Sequence, residues 1–135
     1  MAVLSDKKIV GAPFRNEGKL VVVDYDFAND TGTIADYDAI VADGPILVEL
    51  INIDCETALT AAATANIDLG KNAGGVEFLS AFDAAGGIAV DVQTAGDTAG
   101  TMVELADGEK IVFGIDTAAV TAGKLHMMFR IYGRL

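Results

Sequence analysis

Carboxylates are the abundant chemical groups of this chain, with 20 Asp and Glu against 9 Lys and Arg. Four of them, Asp24, Asp26, Asp36 and Asp38, form two Asp-Tyr-Asp triplets around a turn containing Asn29 and Asp30. Divalent cations favour such oxygen clusters. The helix-loop-helix calcium pattern nevertheless fails. Counted from Asp24, the fifth position is Ala28 and the sixth is Asn29, so an oxygen ligand and the required glycine are both missing. An irregular cation site at these four aspartates stays open; solvated charge at strand edges is the bland alternative.

Other catalytic constellations are weaker still. A glycosidase needs two carboxylates at a fixed separation in a cleft, and acidic pairs are too common here to single one out. A hydrolase triad needs a nucleophile, a base and an orienting acid. His126 is the sole histidine, it falls on the outward face of an alternating segment, and no Gly-x-Ser-x-Gly elbow accompanies it. Residues 70–75, GKNAGG, contain glycines without the Gly-Lys-Ser/Thr order of a phosphate loop. Cys55 is the single cysteine, so no intrachain disulfide forms, and one Cys with one His cannot build the usual structural zinc site. Cys55 reads as a small, partly buried apolar residue. The expectation is a protein with no enzyme activity, cofactor or metal.

The elements that carry these groups read as strands. At 135 residues, with 52% apolar and 21% charged residues, the chain has the size and composition of one folded domain. Fifteen Gly and two Pro suit short strands joined by tight turns. In residues 19–27, Val21, Val23, Tyr25 and Phe27 alternate with Leu20, Val22, Asp24 and Asp26, which predicts a strand with the first set inward. Residues 36–41 predict a short edge strand. The apolar run 46–54 predicts a strand covered on both sides, with Ile51 in the core. Ala65, Ile67 and Leu69 alternate with polar residues and predict another. Apolar residues at 78, 79 and 82, followed by Gly86-Gly87, predict one short helix over 76–85. Strands are then predicted over 88–92, 101–105, 110–115 and 124–132, the last with Leu125, Met127, Phe129 and Ile131 inward. The predicted fold is mostly β: a single-domain antiparallel β-sandwich or jelly-roll-like barrel with one short helix. It comprises residues 19–135, preceded by an N-terminal arm over 1–18 with at most a short strand around Ile9 and Val10.

Charge is unevenly placed. Residues 20–109 hold 17 acidic residues and one basic residue, Lys71; the two ends hold 3 acidic and 8 basic residues. The middle therefore carries −16 and the ends +5, within a net charge of −11. Such a body repels phosphates, so no nucleic-acid partner is expected. No apolar stretch is long enough to span a bilayer, so no membrane partner is expected. Without a signal-peptide pattern, synthesis and folding in a cytoplasm are expected.

As a whole the chain resembles the small decoration or cement proteins of tailed-bacteriophage heads. The stretches that carry the resemblance are 18–27 (GKLVVVDYDF), 65–70 (ANIDLG) followed by 76–79 (VEFL), and 108–132, a strand, a Thr/Ala turn and a closing strand ending in aromatic and basic residues. The resemblance implies a virion structural protein on the capsid exterior, often a homotrimer, that binds the major capsid protein and stabilises its subunit contacts. The basic ends are then the expected clamps, through Val3, Leu4, Lys7, Lys8, Phe14, Arg15, Arg130 and Arg134. The alternative of another class is a tail- or fibre-associated β-sandwich that recognises a host surface; a third is a tail-tube or head-completion component.

Overall fold

The computed structural model describes residues 2–11, 18–83, 93–94 and 102–133. Ten strands and one helical turn follow in order: β1 (Val3–Gly11), β2 (Lys19–Asp26), α1 (Phe27–Asp30), β3 (Ala35–Asp43), β4 (Ile46–Ala61), β5 (Asn66–Lys71), β6 (Leu79–Asp83), β7 (Gln93–Thr94), β8 (Met102–Leu105), β9 (Lys110–Asp116) and β10 (Val120–Gly133). They form two open sheets rather than a closed barrel. Sheet 1 runs β1-β3-β9-β5-β6; sheet 2 runs β2-β10-β4, with β7 and β8 each pairing the far side of β4. All pairings are antiparallel except β1 with β3, which is parallel.

One apolar core lies between the sheets. The alternation of β2 and β10 does what it predicts: Val21, Val23, Tyr25, Leu125, Met127, Phe129 and Ile131 are all buried. Two aromatic contacts stitch the layers. Tyr25 of β2 stacks on Phe113 of β9 with ring centroids 4.8 Å apart, and Phe78, just before β6, meets Phe129 of β10 at 6.0 Å. The Tyr25 hydroxyl is satisfied by donating to the Thr31 carbonyl at 2.8 Å.

Several sequence expectations are corrected. The predicted helix at 76–85 is a loop over 76–78 and strand β6 over Leu79–Asp83, with 84–85 outside the described residues. There Ile67 pairs with Phe82 but Leu69 pairs with Leu79, so β6 holds one extra residue. That irregularity, a bulge, produces the 78, 79, 82 spacing that imitates a helix. The helical turn lies instead at Phe27–Asp30, where Asp26 caps it by accepting from the Ala28 N–H; Phe27 is only half-buried. Residues 35–43 do not form an edge, because β1 covers that side of β3. Ile51 is not in the core: Phe129 pairs with Leu50 and Met128 with Asn52, so Ile51 is the extra residue of a bulge and is 38% exposed. The bulge also switches the inward parity of β4, from Ile46, Val48 and Leu50 before it to Ile53 and Cys55 after it. The predicted strand over 88–92 lies outside the described residues.

Residues 3–11 are more than an arm. They form a nine-residue strand that places Leu4 and Val10 in the core. The two share one parity, but the polar run of Ser5, Asp6, Lys7 and Lys8 between them hides the strand. A second irregular zone lies where β4 meets the start of β10. Gly123 has φ +134°, and a Cβ there would sit 2.4 Å from Leu59 Cδ2 and 2.9 Å from its Cα. Only glycine admits that approach without displacement.

Candidate functional site

The outer face of sheet 2 is built by the outward residues of β2, β10, β4 and β8. Cross-strand register sets Leu20 beside Arg130, Arg130 beside Glu49 and Glu49 beside Met102 in one row. In the next row Val22 lies beside Met128, and Met128 beside Asn52. The bulge adds Ile51 to this face. Leu20 is 51% exposed, Met102 49%, and Val22 and Ile51 38% each. Tyr132 closes one end, its hydroxyl donating to Glu49 Oε1 at 3.3 Å. Outward faces of sandwiches are ordinarily polar. The outer face of sheet 1 follows that habit: Asp36 and Asp68 flank Gly114, and Asp38 pairs with Lys110 at 2.9 Å. Apolar exposure is not confined to one layer, since Val3 and Ile9 of β1 are also exposed, and sheet 2 carries Asp24, Glu49 and Glu56 on its outer face. What sets sheet 2 apart is that Leu20, Val22, Ile51 and Met102 gather at one end of it.

The predicted partner-binding residues fall unequally on this frame. Val3 is 44% exposed, while Lys7 and Lys8 are half-exposed on β1. Lys8 already pairs with Asp6 at 2.8 Å. Arg130 is half-exposed within the apolar face. Leu4, expected at the interface, is only 1% exposed. It is a core residue with no surface to give a partner, because β1 is a sandwich strand. Phe14, Arg15 and Arg134 lie outside the described residues.

Beside the apolar face lies a polar cluster centred on His126. Register places Asp24 opposite it on β2, with Nδ1 2.6 Å from Asp24 Oδ1, while Nε2 lies 3.0 Å from Glu56 Oε1 on β4. Both partners are acceptors, so the geometry suits an imidazolium donating from both nitrogens. The Asp24 hydrogen bond is the main cause that holds the His126 pKa above its ordinary 6.5, and the Glu56 bond adds to it against partial burial. The His126 bond is likewise the main cause that lowers Glu56, helped by the charge of Lys124, whose Nζ is 3.5 Å away. Asp6 is pulled upward by burial, yet hydrogen bonds from Lys8 and from the Asp24 N–H leave it below the ordinary carboxylate value. A histidine occupied at both nitrogens has no lone pair for a metal or a nucleophile. Among the described residues, no hydroxyl or thiol hydrogen-bonds to it. The cluster is an electrostatic clamp joining β2 and β4 across β10.

The four aspartates weighed for a cation divide between the layers. Asp24 and Asp26 are on sheet 2, Asp36 and Asp38 on sheet 1, and among the described residues no group of three Asp, Glu, His or Cys is placed to hold a metal ion. Cys55 is buried, and its Sγ–H donates to the Thr57 carbonyl at 3.3 Å. Sequence reasoning missed both the apolar face and the histidine clamp. The signal for each was the β2–β10 register, which alternation alone does not supply. Comparison with known proteins found no matching family model, no similar curated protein and no similar solved structure.

Proposed function

We propose that this chain is a non-enzymatic structural protein of a tailed-phage virion, a capsid decoration protein that binds the outside of the head and bridges neighbouring major capsid protein subunits. The observation that carries the reading is the apolar outer face of sheet 2 on an otherwise strongly acidic molecule. Leu20, Val22, Ile51 and Met102 remain in water in the free chain, and covering apolar surface releases about 25 cal/mol per Å². Arg130 sits among them and supplies a charged anchor of the kind enriched in interfaces. Sheet 1, with Asp36 and Asp68 on its outer face, would then look outward into solvent. A protein that binds only the assembled shell stabilises that shell by mass action. Copies grouped as homotrimers would join three subunits at once and gain from multivalency.

The test combines location and surface. A cryo-EM map of the native particle should show the chain in hundreds of copies on the head exterior, with sheet 2 inward. A few copies at the tail would favour the host-recognition alternative instead. Added to bare heads, a Leu20→Asp/Met102→Asp variant should bind far less than the wild type while keeping its circular dichroism spectrum. Unchanged binding by that folded variant rejects the sheet 2 face as the docking surface.

A further inference from the structure

The edge of sheet 2 is closed over one half and open over the other. Among the described residues β2 has a single ladder partner, β10, so no described strand pairs with its other side. On that side the Asp24 N–H donates to Asp6 Oδ2 at 2.8 Å, and the Asp26 N–H donates to Asp30 Oδ2 at 2.9 Å. Carboxylates from β1 and α1 thus cap the second half of the edge, a common way to keep an edge from pairing. By strand alternation, the N–H and C=O groups of Leu20 and Val22 point the same way as those of Asp24 and Asp26. Among the described residues nothing caps them.

Next to this open half lies a groove of about 280 Å³ between residues 8–11 of β1 and 19–21 of β2. Its rim carries Ile9, 69% exposed, and Leu20. Lys8 and Lys19 line it, and Arg130 adjoins Leu20 by register. Neither Lys19 nor Arg130 has an ion pair among the described residues. In a chain of net charge −11, Lys19 and Arg130, without an ion pair among the described residues, beside a strand edge that no described strand pairs are a specific juxtaposition.

We infer that the open half of β2 is a docking slot for an extended acidic segment of a partner protein, which adds as a further strand beside residues 19–23. Main-chain bonds to Leu20 and Val22 would hold the segment, and its carboxylates would meet Lys19, Lys8 and Arg130. A second copy of this chain fits less well, because two-fold pairing centred on Val21 would set Lys19 opposite Val23 of the other copy and supply it no carboxylate. The inference rests on the proposed function for the existence of a protein partner and adds where that partner's chain would enter. It is tested without particles, so its failure leaves the sheet 2 face reading standing.

The experiment titrates the ¹⁵N-labelled full chain with the capped hexapeptide Glu-Thr-Glu-Val-Glu-Thr, its Lys-for-Glu counterpart, and an acidic version N-methylated at alternate residues. The acidic peptide should shift amides of residues 8–11 and 19–23 saturably and slow hydrogen exchange at Leu20 and Val22. The lysine and N-methylated peptides should bind at least about tenfold more weakly. Lys19→Glu, an exposed substitution that leaves the ladder intact, should also weaken the acidic peptide about tenfold. Val22→Pro removes an edge donor at a position where strand proline is tolerated, and should abolish the slowed exchange at Leu20. Equal binding of both charges, no saturable binding by the acidic peptide, or binding without protection at Leu20 and Val22 overturns the slot. Slow exchange at both amides in the free protein, lost on dilution, also overturns it by assigning the edge to a second copy.

Discussion

Truncation of Phe129 gives the most direct reading of the core. Phe129 is fully buried at the middle of β10, paired with Val21 on one side and Leu50 on the other. Its ring leans on Phe78 at 6.0 Å and 59°, so Phe129→Ala removes a contact between the sheets as well as a side chain. The position lies beside the Ile51 bulge, in a two-layer core that cannot collapse readily to refill the space. Loss of the ring should cost about 3–5 kcal/mol, transfer and cavity together. For a domain of this length each kcal/mol moves Tm by about 3–4 °C, so the midpoint should fall by about 9–20 °C. Ile51→Ala is the matched control. Its side chain lies on the opposite face of β4 from Leu50 and is 38% exposed, so it should cost no more than about 1 kcal/mol. Urea denaturation followed by circular dichroism measures both. A cost below about 1 kcal/mol for Phe129→Ala, or a larger cost for Ile51→Ala, refutes the β4–β10 register.

Three further outcomes follow from particular contacts. His126 has a raised pKa, so its clamp contributes stability that is fully present below its unfolded value of 6.5 and is lost as pH rises through the higher folded value. Glu56 is lowered, so its share is present above 4.5 and is lost as pH falls through the lower folded value. The Tm difference between wild type and His126→Asn should therefore be largest between the ordinary values of Glu56, 4.5, and His126, 6.5, and shrink as the pH is raised beyond 6.5; a constant difference removes the clamp. Gly123→Ala forces a Cβ against Leu59 at positive φ and should cost about 1–3 kcal/mol or more, read from the same denaturation curves. Cys55 should react with a thiol reagent only as fast as the domain opens, so native and denatured rates should differ by orders of magnitude.

How much of this was legible in the sequence depended on whether a strand kept an unbroken period of two. β2, β5 and the second half of β10 do, and their inward residues match the prediction. β4 and β6 each contain an extra residue, and one inserted residue exchanges the faces of all that follow. Ile51 and the 78, 79, 82 spacing were misread for that single reason. β1 was obscured for a different reason: Leu4 and Val10 keep the same parity, but Asp6, Lys7 and Lys8 separate them. Burial of Asp38 and Asp30 was also invisible: each depends on a partner far along the chain, Lys110 for one and the Ser5 N–H for the other. The histidine clamp needs the β2–β10 register, a non-local quantity set by the whole sandwich.

The charge of the molecule makes one more test of its apolar face. Two copies about 35 Å apart, each carrying −11, repel by about 4 kcal/mol at about 0.01 M salt and by about 0.2 kcal/mol at about 0.15 M. An apolar contact through Leu20, Val22 and Met102 should gain from that screening. Self-association should therefore strengthen as salt is added, until repulsion is negligible. A contact made instead by the basic β1–β2 edge on a neighbour's acidic sheet 1 would weaken over the same range, because salt screens attraction equally. Light scattering at high micromolar concentration across that range separates the two. Association that falls with salt, or that rises equally in Leu20→Asp/Met102→Asp, removes the sheet 2 face as the surface by which copies meet. Association that rises only in the wild type assigns that surface to it.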